Sequence, residues 1–103
     1  MQDKWEIWWA EVEYEDLNES KIRPVLVIGN DVFCIDCFKI TSTKPREQET
    51  SYIIENYSEV GLKRKSTIRL GKILKIKHDK FLHKAGKLTI KQIIEIKKII
   101  DDK

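Results

Sequence analysis

Proline, glycine, cysteine and long apolar runs are all scarce in this sequence. Its 103 residues include two prolines, four glycines and two cysteines. This composition excludes collagen-like and low-complexity chains, while a 41% hydrophobic content gathered in runs predicts a folded protein. The first six residues lack the apolar core of a signal peptide, and no apolar run approaches the roughly 20 residues of a membrane span. We therefore expect a single domain over residues 1–103, located in the cytoplasm.

Cysteine and histidine chemistry has little support in the pattern. Cys34 and Cys37 have the spacing of some redox and zinc sites, but they fall in a predicted strand, where residues three apart point to opposite faces. His78 and His83 are five residues apart, which does not match the separation of helix neighbours. We interpret the cysteines as structural and the histidines as surface residues, leaving a histidine contact with RNA open, and we expect neither a metal nor a cofactor.

Charge is distributed unevenly along the chain. The net charge is only +3, but residues 1–20 carry seven acidic side chains against Lys4, and residues 61–87 carry ten Lys or Arg against Asp79. A basic half is typical of proteins that bind a polyanion or an acidic partner. A lysine-rich surface that only contacts water is the alternative at this stage.

Alternation and turn residues predict a mainly β fold of the α+β class. Predicted strands cover residues 5–14, 24–29, 32–41, 50–56, 66–70 and 72–76, with polar loops at 15–22 and 42–49. Gly86 would end a short helical piece around 79–85. Thr89 and Gln92 form a capping box that opens a C-terminal helix. Five to seven short strands with tight turns favour a small barrel.

One polar constellation stands out from these elements. Arg23 precedes Pro24 at the start of a predicted strand, and Thr41 and Ser42 close its hairpin partner. The start of one strand and the end of its antiparallel neighbour are close in space, so a guanidinium should lie near two hydroxyls. Arg69 stands on a separate strand. Because arginine binds phosphate oxygens with two parallel donors, these four residues indicate a phosphate site. The alternative is an arginine paired with an acidic neighbour.

At this point the sequence resembles the PemK/MazF-like toxins of type II toxin–antitoxin systems. The resemblance covers about residues 5–100 and rests on segments that occur in the family's order: "EIWWAEV", "KIRPVLVIGND", "ITS", "GLKRKSTIRLGKILKI" and "KAGKLTIKQIIEIKKII". Two positions depart from the family pattern. Trp5 replaces the glycine of the opening Gly-Asp-Ile, and Gly71 stands where some members have an acid two residues after the later arginine.

The resemblance implies a small SH3-like β-barrel that forms a homodimer. It also implies a metal-independent endoribonuclease that cuts single-stranded RNA and is inhibited by an acidic antitoxin protein. The catalytic candidates carried over are Arg23, Thr41, Ser42 and Arg69. The candidates for contacts with RNA are Lys21, Lys44, Lys63, Arg64, Lys65 and Thr67.

Two other functions are compatible with the same pattern. SH3-like barrels often bind nucleic acid or protein without catalysing a reaction, so a non-catalytic binding module is the main alternative. A purely structural dimeric subunit is the third.

Overall fold

The protein folds around one antiparallel sheet. The structure is a computed structural model that describes residues 2–14, 18–42 and 49–101, and for Tyr14 it describes the backbone alone. Within this part of the chain, six strands follow the order β4-β5-β3-β2-β1-β6. Their bounds are β1 Glu6–Tyr14, β2 Glu19–Asn30, β3 Cys34–Thr41, β4 Ser51–Ile54, β5 Ser66–Lys77 and β6 Phe81–Lys87, and the C-terminal helix α1 spans Ile90–Asp101. The predicted mainly β, barrel-like α+β fold is confirmed.

The C-terminal helix begins where its capping box predicted. The Gln92 amide donates to Thr89 Oγ1 at 3.2 Å, and the Thr89 amide donates to Gln92 Oε1 at 2.9 Å. These two bonds satisfy backbone donors that the first turn cannot pair internally. No helix in the described ranges is both long and apolar enough to cross a membrane.

Three predictions of secondary structure were wrong. β2 already begins at Glu19, because residues 19–23 pair with β1. Residues 66–77 form one strand rather than two. The segment predicted to be helical around 79–85 is instead a short 3-10 turn followed by β6, since pairing with the edge of β1 overrides its weak helical tendency.

Each face of the sheet buries its own apolar cluster. The first cluster includes Ile7, Leu26, Ile40, Ile68 and, from the helix, Ile96. The second lies on the opposite face and contains Ala10, Val12, Val25, Val27, Ile35, Cys37 and Ile76, with Trp8 packed against it. In β1, Ile7 packs on the first cluster while Ala10 and Val12 pack on the second, so neither face of this strand is free of packing.

The segment between β4 and β5 packs against β6, and the two backbones meet at Gly61 and Gly86. Gly61 has a φ of 90°, a conformation that only glycine adopts without strain. A Cβ on Gly61 would overlap the Ala85 carbonyl, and one on Gly86 would overlap the Val60 carbonyl. The two backbones therefore approach as closely as they do only because neither residue has a side chain. The contact fixes residues 62–64 relative to the sheet.

The start of β1 is a corner built on an unusual residue. Trp5 has a φ of 74°, in the left-handed region that favours glycine. The Trp5 amide donates to the Val27 carbonyl at 2.7 Å, and the Leu88 amide donates to the Trp5 carbonyl at 3.0 Å. These bonds, together with packing of the indole on the first cluster, hold the strained backbone.

Glu6, the next residue, is a buried carboxylate that stays ionised. It accepts hydrogen bonds from the Asp3 amide at 2.8 Å and the Trp8 indole at 2.9 Å, and Lys84 Nζ lies 2.7 Å away. Burial opposes its ionisation, but these bonds outweigh burial and lower the pKa of Glu6 from 4.5 to about 2.

We predict that folding stability falls as this carboxylate becomes protonated. A lowered pKa gives stability that is complete above pH 4.5 and is lost as the pH falls towards 2. Glu6 should contribute about 2 kcal/mol across that window, allowing for screening by water at Lys84. Urea unfolding between pH 2 and 6 measures the effect. Glu6→Gln should flatten this part of the profile, and an unchanged pH dependence in that variant would refute the assignment.

Candidate phosphate-binding groove

A polar groove of about 340 Å³ opens at one end of the sheet. It lies where β2 begins its buried part and β3 ends, with the segment after Gly61 as its opposite wall. The lining residues are Trp9, Arg23, Pro24, Ile40, Thr41, Ser42, Leu62, Lys63, Arg64 and Ser66. Three of these side chains are cationic, three carry hydroxyls, and none is a carboxylate. This lining suits an anion.

Arg23 is placed by the register of the β2–β3 hairpin. Val25 lies opposite Lys39, so Arg23 and Thr41, two residues further along each strand, come together at its end. Pro24 follows Arg23 and fixes an extended path into the core strand. Arg23 is exposed, and its guanidinium donates to the Ile22 carbonyl at 3.2 Å. Among the described residues it has no carboxylate partner, so the acid-paired alternative is not seen for Arg23.

The hydroxyls of the groove have different surroundings. Thr41 and Ser42 line it beside Arg23, as the hairpin predicted. Ser66 lines it from β5, but its hydroxyl donates to the Arg64 carbonyl at 2.9 Å. Ser66 therefore braces the loop that carries Arg64. Thr41 and Ser42 are the hydroxyls that the β2–β3 hairpin brings beside the Arg23 guanidinium.

Arg69 is not brought into the groove. Arg69 lies on β5, directly opposite Lys39 on β3 and Ser51 on β4. It is two residues along the strand from Thr67, which pairs with Thr41. Its Nε donates to Glu49 in an ion pair that is partly buried. The sequence leaves an arginine paired with an acidic neighbour open as the alternative to a phosphate site. Among the described residues, the structure shows such a pair for Arg69 and not for Arg23. This pairing also offsets the repulsion between Arg69 and Lys39.

The six candidates for RNA contact are divided by the structure. Lys63 and Arg64 line the groove. Lys65 points to Glu55 at 3.4 Å, and Thr67 is buried opposite Thr41. Lys21 is exposed on β2 outside the lining, and Lys44 lies outside the described residues.

Trp9 is the lining residue whose place in the groove the sequence did not reveal. Aromatic residues in strands usually pack in cores, and strand alternation separates Trp9 from Trp8 but not from Trp5. In the register of β1 with β2, Trp9 lies opposite Pro24, the residue that follows Arg23. A strand pairing inferred between the two segments would have been the signal that identified it.

The other groups considered for chemistry lie elsewhere. Burial, together with the charge of Asp36, raises the pKa of the Cys37 thiol to about 12, so this thiol is a poor nucleophile. His78 contacts the Asp31 carbonyl at the far hairpin, 2.9 Å away, and His83 is exposed on β6. The described ranges contain no cluster of three His, Cys, Asp or Glu residues able to hold a metal ion.

Fold and groove together define a class: a small barrel-like β protein with a cationic, hydroxyl-lined groove at one end of its sheet. The sequence match is more specific. The family model of the PemK-like, MazF-like toxins of type II toxin–antitoxin systems matches residues 3–102, and the chain belongs to that family. No curated protein matches the chain. Toxins of this family are generally endoribonucleases, and membership implies an RNA substrate and an antitoxin partner in general terms.

Proposed function

We propose that the protein is a metal-independent endoribonuclease toxin that cuts single-stranded RNA in the Arg23 groove. The observation that carries this proposal is the meeting of Arg23, Thr41 and Ser42 in one groove with Lys63 and Arg64. The first three are the residues of the family's Arg-Pro and Thr-Ser motifs. The two cations of the opposite wall supply charge for a neighbouring phosphate.

The proposed reaction is an internal transfer at one phosphodiester. The 2′-oxygen of the RNA loses its proton and bonds to the adjacent phosphorus, while the bond from phosphorus to the 5′-oxygen breaks. The leaving oxygen takes up a proton, so the products end in a 2′,3′-cyclic phosphate and a 5′-hydroxyl. DNA lacks the 2′-hydroxyl and cannot react in this way.

Arg23 has the central role in this scheme. Negative charge builds on the non-bridging phosphate oxygens during attack, and a preplaced guanidinium stabilises that charge. Because arginine is a poor proton donor, Arg23 acts first through its charge and only second through proton transfer. Thr41 and Ser42 hold the phosphate or orient the attacking hydroxyl. Arg69 joins the site only if a phosphate replaces Glu49 as its partner.

We predict discrete RNA cleavage in the presence of EDTA. A long, weakly folded RNA is incubated with the purified protein, and the fragment ends are identified. Fragments with cyclic-phosphate and 5′-hydroxyl ends are the expected result. Intact RNA that still binds the protein would instead show a non-catalytic module, the alternative favoured by the lack of a carboxylate or imidazole among the described residues that line the groove.

The partners follow from the same proposal. We propose that an acidic segment of a cognate antitoxin occupies the cationic groove and blocks RNA, and that the toxin acts in the cytoplasm. We also propose a homodimer, which is supported by exposed apolar residues on the outer face of α1, where Ile90 is 77% and Ile94 50% exposed. Light scattering of the purified protein distinguishes one chain from two.

A further inference from the structure

Trp9 and His83 form a stacked ring pair beside the groove. Their ring centroids are 6.3 Å apart and their planes differ by 25°. The two residues are direct partners in the pairing of β1 with β6, so they point to the same face of the sheet. Trp9 also lines the groove, whereas His83 is exposed. The ring pair therefore continues the groove wall outwards onto β6.

The other two tryptophans have structural roles that Trp9 lacks. The Trp8 indole donates to Glu6 at 2.9 Å and meets Phe81 edge-on at 83°, within the second apolar cluster. Trp5 packs against the first cluster and holds the corner before β1. Trp9 instead presents a half-buried ring to a polar groove, with a flat exposed ring stacked on it. Such a layer of aromatic rings is a surface on which another flat ring can stack.

The ring pair lies close to the proposed phosphate position. Trp9 is directly opposite Pro24, and Arg23 is one residue away along the same strand. Strand spacings of about 4.8 Å across and 3.3 Å along put the two backbones roughly 6 Å apart. A nucleotide's base and a phosphate next to it in the same strand are separated by a similarly short distance. Neighbouring residues of a strand point to opposite faces, so the side chains of Arg23 and Trp9 leave opposite faces of the sheet. Both still line the groove at the end of the sheet. This shared lining, and not a common face, puts the base next to a phosphate held by Arg23 within reach of the rings.

We propose that Trp9 and His83 form a stacking subsite for the nucleobase next to the phosphate held by Arg23. This inference rests on the proposed ribonuclease function and adds a base contact to it. Stacking between a base and an aromatic side chain strengthens binding and tolerates any base, because every base has a π-face. The subsite fixes the position of the strand rather than selecting its sequence.

An abasic scan tests the subsite. The shortest RNA cut in the EDTA experiment is made uncleavable with a single 2′-deoxyribose at the cut site. Its bases are then removed one at a time, and the affinity of each oligonucleotide is measured. For the wild-type protein, we expect one position beside the cut to lose about tenfold or more in affinity when its base is removed.

The histidine variants assign that position. In His83→Ala, removal of the same base should change the affinity by less than about threefold, whereas His83→Phe should keep the wild-type loss. His78→Ala is the matched control, since it removes an exposed histidine near the far hairpin and should leave the scan unchanged. His83 is exposed, so its replacement is not expected to unfold the protein.

The possible outcomes separate the subsite from the function. If no RNA is cut, the proposed ribonuclease function fails and the subsite fails with it. If RNA is cut but the scan is the same in His83→Ala as in the wild-type protein, the subsite alone is refuted. The subsite is also refuted if removing any base from the RNA lowers the affinity of the wild-type protein by the same factor. A ring pair with a purely structural role would not make one base position more important than the others.

Discussion

Replacing Arg23 with alanine should lower the rate of RNA cleavage by about 10²–10³-fold, the usual cost of losing one donor that stabilises transition-state charge. Arg23 is exposed at the mouth of the groove and has no carboxylate partner among the described residues, so its removal leaves no buried charge behind. The fold should therefore persist. The measurement is single-turnover cleavage of one RNA, with thermal unfolding of both proteins recorded alongside.

Two further variants define what Arg23 contributes. Arg23→Lys keeps the charge but loses the two-pronged geometry, so its rate should fall between those of the wild-type and alanine proteins. Lys77→Ala removes an exposed cation from the end of β5 that pairs with Cys34, away from the groove, and should leave the rate within about twofold. Equal rates for Arg23→Ala and Lys77→Ala would remove Arg23 from the mechanism.

Gly86→Ala should lower the free energy of unfolding by about 3 kcal/mol. A Cβ there would overlap the Val60 carbonyl, and this backbone oxygen cannot move aside as a flexible side chain can. Relief requires that the segment after Val60 move away from β6, which also opens one wall of the groove. For a protein of this size, the loss corresponds to about 15 °C in melting temperature.

The sequence provides a matched control for this substitution. Gly71 is exposed on β5, and a Cβ there would contact nothing within 4 Å. Gly71→Ala should therefore be neutral or slightly stabilising, because it restricts only the unfolded chain. Thermal melts of the two variants decide the matter. If both alanines shift the melting temperature equally, the close approach of the two backbones is not what demands glycine at position 86.

The parts of the fold that follow from local pattern were predictable. Alternation located β1 and β3, the apolar run from Pro24 located the buried part of β2, and Thr89 with Gln92 located the start of the helix. The pairing of Arg23 with the end of β3 followed from the same hairpin. Each of these features depends on residues that are close together in the sequence. A pattern of residue types along the chain contains information of this local kind.

Features that depend on distant residues could not be predicted. The segment around 79–85 becomes a strand because β1 offers an unpaired edge, and Gly86 is required by a contact with Val60 rather than by a helix end. The same limit applies to the site. Arg69 found an acidic partner in Glu49, and Trp9 entered the groove through its pairing with Pro24. None of these contacts has a signature in the neighbouring residues.

The contact between Gly61 and Gly86 has a consequence for synthesis of the protein. Arg23, Thr41 and Ser42 leave the ribosome early, but the wall that carries Lys63 and Arg64 is fixed only when β6 packs against the segment after Val60. A nascent chain that lacks β6 has the catalytic candidates but no finished groove. A toxin directed at RNA would thus gain its activity only after most of its own message had been translated.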